Sequence, residues 1–283
     1  MSRLRTLLLL GRVANLPTVW SNCLAGWWLG GGGNVATLSY LFGGVTLLYV
    51  GGMFLNDAFD VAFDRQHRPE RPVPSGAISA AAVWRWGCAW MVLGAGLLFG
   101  CGPMTGWLGL TLASAIILYN ALHKLTPLAT GVMGLCRFLV YPLAASTGEL
   151  GVTGWALWCG IALGLYVAGL SVLARRESTH ERVPRWPVIL LGAPILLALL
   201  MNAGSYRQPA WLLTVVLVIW IVRCVRITFW TSPPNVGRTI AGLLAGIIIV
   251  DWLAAVQMPT ELGLLFPVLF VATLSGQRFA PAT

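Results

Sequence analysis

Acidic residues are scarce in this 283-residue sequence, where nine Asp and Glu stand against eighteen Lys and Arg. Charged residues make up only 10% of the chain and hydrophobic ones 58%, with a mean hydropathy of +0.80. Soluble domains carry about 25% charged and about 45–50% apolar residues. The composition therefore excludes an ordinary water-soluble protein and points to a polytopic membrane protein. Its length suits one helical bundle, a single domain over 1–283, rather than two. Histidine occurs three times, and the six cysteines (Cys23, Cys88, Cys101, Cys136, Cys159, Cys224) have no CxxC spacing. No zinc or disulfide framework is expected, and the cysteines read as small core hydrophobes. The net charge of +9 raises nucleic acid as a partner, but no basic patch with interleaved exposed aromatics appears, so no nucleic acid is expected.

Apolar segments of roughly 17–20 residues make one membrane span each. They occur at 14–31, 37–56, 82–101, 105–121, 127–147, 153–174, 187–203, 209–227, 238–256 and 261–277. Gly30 to Gly33, Pro103, Gly148 to Gly154, Pro184, Pro187 and Pro233-Pro234 punctuate the boundaries. Arg3 and Arg5 before Leu7 to Leu10 imitate a signal peptide. Arg12 interrupts that run and no small-x-small site follows, so the segment is expected to stay in the mature chain.

With the N-terminus inside, sixteen of the eighteen basic residues fall in inner loops or at inner helix ends. Arg207 alone lies outside and Arg137 alone lies within a span. This positive-inside bias places both termini in the cytoplasm, in a bacterial inner membrane. Most of the fourteen tryptophans, including Trp20, Trp84, Trp86, Trp107 and Trp230, suit interfacial belts. Two inner loops, 57–80 and 175–186, are longer and more polar than the rest and follow the second and sixth spans.

Three of the nine acidic residues fall in one short stretch, Asn56-Asp57-Ala-Phe-Asp60-Val-Ala-Phe-Asp64, followed by Arg65, Arg68 and Arg71. A helix would put positions i, i+3 and i+7 on one face. Carboxylates gathered there repel one another unless a cation sits among them. A helix end whose acids are satisfied by the arginines is the plainer alternative. Oxygen ligands without nearby His or Cys suit Mg²⁺ rather than zinc or copper. Magnesium held by carboxylates commonly completes its shell with phosphate oxygens, so a diphosphate with a lipid tail is the expected ligand. Cations should converge on that group. Tyr119-Asn120-Ala-Leu-His123-Lys124 ends the fourth span on the inner side, and Arg137 needs an anion or a carboxylate partner inside the fifth.

The stretch Asn56-Asp57-x-x-Asp60-x-x-x-Asp64 resembles the NDxxDxxxD signature of the UbiA superfamily of intramembrane prenyltransferases. Tyr119 to Lys124 is similar to that family's tyrosine-to-lysine segment. The early Gly11-Arg-Val-Ala-Asn15-Leu-Pro17-Thr-Val-Trp-Ser-Asn22 adds to the likeness, which covers essentially the whole chain. The resemblance implies an all-α transmembrane bundle of nine helices, where hydropathy counts ten, around an apolar cavity opening near the cytoplasmic face. It implies transfer of an isoprenyl group from a prenyl diphosphate to a small acceptor, commonly an aromatic ring. Asp57, Asp60 and Asp64 would hold Mg²⁺, and Asn56 would orient them. Asp57, Asp60 and Lys124 would form the catalytic set. Arg137, Tyr119, Asn15 and Asn22 would contribute to substrate binding.

One departure stands out. The family carries a second motif, DxxxD, after its sixth helix, whereas the equivalent place here reads Tyr166 to Ser178 with no aspartate. Only Glu177 and Glu181 are near. An altered motif of this kind resembles the EboC-like subgroup, and a UbiA-like protein without catalysis, binding or moving a lipid or pigment precursor, is the alternative it raises. The CDP-alcohol phosphatidyltransferases need Asp-Gly and Ala-Arg steps that 57–64 lacks. A secondary transporter would want acids or broken helices at the bilayer midplane, whereas Asp251, the only lone candidate, is expected nearer the outer half of its span. Arg175 or Arg176 is expected to supply the charge that a second magnesium supplies elsewhere, since a guanidinium grips phosphate bidentately. Replacing either by alanine should then abolish diphosphate binding while the fold survives; unchanged binding in both variants removes the idea.

Overall fold

Glycine, proline and short polar caps set where each helix starts and stops. The computed structural model describes residues 3–177, 184–201, 204, 207–231 and 234–279, without the side chains of Arg3, Arg176 and Glu177. Every regular element among them is helical. A short α1 (Arg3–Leu10) turns through a 3-10 segment (Val13–Asn15) into α2 (Leu16–Leu29), which Pro17 starts and Gly30 to Gly33 end. Asn34 caps α3 (Val35–Phe59) by accepting from the Ala36 amide at 2.8 Å, and α4 (Val61–His67) continues it after Asp60. Ser79 caps α5 (Ala80–Gly100), and Gly102, at φ 134°, leads into α6 (Pro103–Leu122). Then come α7 (Ala129–Ala145) and α8 (Gly154–Glu177).

The span expected at 187–203 is two pieces, α9 (Pro187–Leu191) and α10 (Ala193–Leu200), separated at Gly192. Pro194 has no amide hydrogen to donate back across that junction, which weakens the helix there. Next follow α11 (Arg207–Phe229) and α12 (Val236–Ala254), the latter capped by Asn235, which accepts from the Arg238 amide at 2.8 Å. The segment expected at 261–277 is likewise divided, into α13 (Thr260–Gly263) and α14 (Leu265–Phe279).

Seven helices among the described residues are long and apolar enough to cross a membrane, and α7 is a shorter apolar one. Large apolar side chains such as Val92, Leu212 and Val268 point outward on α5, α11 and α14, as a lipid-facing wall requires. Inside, α2 packs against α3, α7, α12 and α14 and so runs through the middle of the bundle.

Lipid tails are as apolar as leucine, so helices in a bilayer associate by close packing at small residues. Two crossings show this. On α3 and α5, a Cβ at Gly94 would come 2.8 Å from the Gly44 carbonyl oxygen, and one at Gly44 would come 2.7 Å from Leu98. On α7 and α8, a Cβ at Gly134 would come 2.5 Å from the Gly164 carbonyl oxygen. These approaches hold α7 in place and with it Arg137. Gly134→Leu is therefore expected to lower the melting midpoint in detergent, costing ~1–3 kcal/mol by overpacking. Gly131→Leu, three positions earlier on α7 with nothing within 4 Å of its Cβ, should melt like the wild type.

Candidate active site

Asp60 sits where α3 stops and α4 begins, and that break decides the geometry of the acidic cluster. The expectation of one uninterrupted helical face carrying three convergent carboxylates needs correction. Among the described residues no group of three or more His, Cys, Asp or Glu side chains closes on one point. Asp57 and Asp64 instead share a cation, Arg71, whose Nη1 lies 3.6 Å from Asp57 and 2.9 Å from Asp64. Asp60 turns the other way, to His123 Nε2 at 3.0 Å and Lys124 Nζ at 3.4 Å. Burial pushes the Asp60 carboxyl up, but the hydrogen bond from His123 and the charges of His123 and Lys124 outweigh it and hold it below the usual range. That pairing stabilises the fold at neutral pH and is lost as pH falls through the lowered value.

All three carboxylates are buried, Asp64 to 2% exposure, and Asp64 Oδ1 has no hydrogen-bond partner among the described residues. A buried carboxylate oxygen left without a donor is costly. An oxygen-only set with one such orphan and two acids already gathered round a single positive charge fits a hard divalent cation.

Asn56 ties the cluster to its neighbours. Its Oδ1 accepts from Arg12 Nη2 at 3.1 Å, while its Nδ2 donates to Asn120 Oδ1 at 3.1 Å. Asn120 in turn donates to the Gly52 carbonyl at 3.0 Å, joining α6 to α3. Arg12 also lies 3.8 Å from Asp57. It is the one described non-glycine residue with a positive φ, at 42°. Such a backbone costs about 1–3 kcal/mol and persists where the surroundings hold it, here aided by the Tyr49 hydroxyl donating to its carbonyl.

Above this mouth a cavity of about 80 Å³ lies between α2, α3, α6 and α7, lined by Tyr49, Tyr119, Asn120, Met133 and Arg137 among others. Tyr119 stacks on His123, with ring centroids 5.2 Å apart. Lys124 sits 4.0 Å over the Phe63 ring. Arg175 braces the loop that carries Lys124, since its Nη1 donates to the His123 carbonyl at 3.1 Å and the Thr126 carbonyl at 2.7 Å. The Arg176 side chain and Glu181 lie outside the described residues.

The remaining expected residues lie deeper. Asn15 is buried beside Tyr49. Arg137 reaches Asn22 Oδ1 at 2.6 Å and Thr18 Oγ1 at 3.2 Å, and Asn22 passes on to Asp251. Sequence reasoning did not single out Arg12, Arg71 or Asp251 for this site. Arg71 sits in the irregular stretch after α4, where no periodicity applies. Arg12 was visible only as an inner-end cation. Asp251 lies far along the chain from its partners.

The chain matches the model of the UbiA prenyltransferase family over residues 15–236. It is 33% identical over 158 residues to digeranylgeranylglyceryl phosphate synthase of Ignicoccus hospitalis, covering 56% of this chain and 50% of that one. It is 29% identical over 148 residues to 4-hydroxybenzoate octaprenyltransferase of Pectobacterium carotovorum, covering 50% of each. The chain thus spans about half the length of these curated relatives. The fold is that of a solved UbiA homolog from Aeropyrum pernix, with a TM-score of 0.67 at 18% identity over 92% of this chain and all of that one.

Asn120→Leu tests the polar frame of the mouth. It removes the acceptor of Asn56 and should lower stability by ~1–3 kcal/mol, read as a drop in the melting midpoint.

Proposed function

The chain belongs to the UbiA prenyltransferase family, and on that premise we propose that it is a Mg²⁺-dependent prenyltransferase of the membrane. It moves an isoprenyl group from a prenyl diphosphate to a small acceptor. The carrying observation is the pair Asp57 and Asp64, buried beside a cavity, sharing one cation and leaving one oxygen without a partner.

On this reading Asp57 and Asp64 would hold the metal, while Asp60, expected as a third ligand, is turned to His123 and Lys124 and holds that lysine instead. When bound, Mg²⁺ supplies positive charge to a departing diphosphate. The chain's own cations complete that field. Lys124, held by Asp60, and Arg137, in the cavity wall, would meet phosphate oxygens. Preorganised charge of this kind stabilises a leaving anion without rearrangement during the reaction. Asn56 keeps Asp57 and Arg12 in register. Arg175 fixes the Lys124 loop from the place where the family's second aspartate motif is expected, and would reach phosphate from there. The apolar walls, Val45, Leu48, Leu112 and Val140, exclude water from an allylic cation.

The acceptor is read as aromatic, which the rings of Tyr49 and Tyr119 in the cavity wall support. The family and the apolar helices make the protein integral to a membrane. On the same reading the acidic mouth and both termini face the cytoplasm, which the basic inner loops support.

Purified protein should release diphosphate from labelled farnesyl or geranylgeranyl diphosphate when Mg²⁺ and 4-hydroxybenzoate are supplied. Asp64→Asn should cut that rate by about 100-fold or more, as loss of a metal's charge stabilisation does. A wild-type protein that releases nothing with either donor, across aromatic and glyceryl phosphate acceptors, would contradict the reading.

A further inference from the structure

Asp251 is fully buried on α12, at 0% exposure, and among the described residues no basic side chain comes within ion-pair distance of it. A bare carboxylate at that depth costs several kcal/mol. An apolar residue of similar size would pack there without the cost, so the acid needs a reason beyond packing.

The hydrogen bonds supply one. Asp251 accepts from the Ser21 hydroxyl at 2.5 Å, from the Tyr141 hydroxyl at 2.7 Å, and from Asn22 Nδ2 at 2.7 and 2.9 Å to its two oxygens. Asn22 turns its other end to Arg137, whose Nη1 donates to Asn22 Oδ1 at 2.6 Å. Thr18 adds two more acceptors, its carbonyl taking Nη1 at 3.4 Å and its hydroxyl taking Nη2 at 3.2 Å. One amide therefore stands between an anion and a cation, polarised by both. Bonds in such a chain strengthen one another in a low-dielectric interior. A direct Asp–Arg pair would hold the two charges in contact and neutralise the guanidinium. The inserted amide fixes Arg137 in place while leaving its charge available to the cavity it lines.

We propose that Asp251 is a positioning residue: through Asn22 it sets the Arg137 guanidinium toward an anionic substrate group without pairing with it. This rests on the prenyl diphosphate reading above. α2, α7 and α12 each contribute one link, so the arrangement ties three helices together at the cavity wall.

The decisive variant is the charge-conserving exchange Asn22→Asp with Asp251→Asn, which moves the carboxylate into direct contact with Arg137. Binding of the unreactive farnesyl thiodiphosphate with Mg²⁺ should weaken about tenfold or more, equivalent to about 1.4 kcal/mol. The KM for prenyl diphosphate should rise and kcat should fall with it, since Arg137 also stabilises the departing diphosphate, while the melting midpoint without ligand stays close to wild type. Wild-type binding and KM in the exchanged protein would overturn the proposal and leave Asp251 a core residue. If the exchange does not fold, Asn22→Ser removes the amide and keeps Asp251 on Ser21 and Tyr141. The same loss of analogue binding is then expected, and wild-type binding in that variant overturns the proposal equally. A wild-type protein that binds the analogue but transfers nothing defeats the transfer reading alone, and the binding comparison still decides the role of Asp251. A wild-type protein that binds no analogue defeats both.

Discussion

The sharing of Arg71 between Asp57 and Asp64 is the contact on which the site depends. Two carboxylates buried side by side repel, and removing both from water is costly without a cation between them. A single guanidinium nitrogen within 4 Å of both meets that demand in the protein by itself. The irregular segment after α4 must therefore fold back over the end of α3, which carries Arg71 to the acids. Asp60, between α3 and α4, answers the same demand with other partners. It sends the third carboxylate to His123 and Lys124 on the far side of the mouth, where opposite charge is also waiting.

Around the cavity the buried polar groups fall in two layers, represented in its lining by Asn120 and Arg137. The lower layer joins α3, α4 and α6 through Asn56, Asn120 and the three acids. The upper one joins α2, α7 and α12 through Thr18, Asn22, Arg137, Tyr141 and Asp251. Close glycine crossings hold the helices of both layers at fixed separations, so side chains several turns apart can face one cavity. Tyr49 spans the layers, donating to the Arg12 carbonyl below and lying beside Asn15 and the cavity above. The strained backbone at Arg12 sits at this junction, where local strain is offset by the contacts around it.

Much of the bundle was legible in the sequence, because apolar runs bounded by glycine and proline carry their own signal. The ten apolar segments correspond to helical stretches, and the divided ones at 187–203 and 261–277 carry prolines early in their length. The acidic motif was legible too, as three of nine acids within eight positions. Its internal geometry was not. Helical spacing says which side chains share a face, and only the tertiary pairings with Arg71 and His123 show where each carboxylate goes. Arg137 was visible as a cation in need of a partner. That partner proved to be an amide relaying to Asp251, more than 110 positions along the chain, and no local pattern encodes so distant a contact.

The central claim is that the mouth acids gather a divalent cation together with a diphosphate. Paramagnetic resonance of Mn²⁺, a stand-in for Mg²⁺, measures this without turnover. Adding wild-type protein and farnesyl thiodiphosphate should quench the free-ion signal at one equivalent per chain, more than the analogue alone does, and Asp57→Asn with Asp64→Asn should restore it to the analogue-only level. Equal quenching by the wild type and the doubly substituted protein would contradict the account.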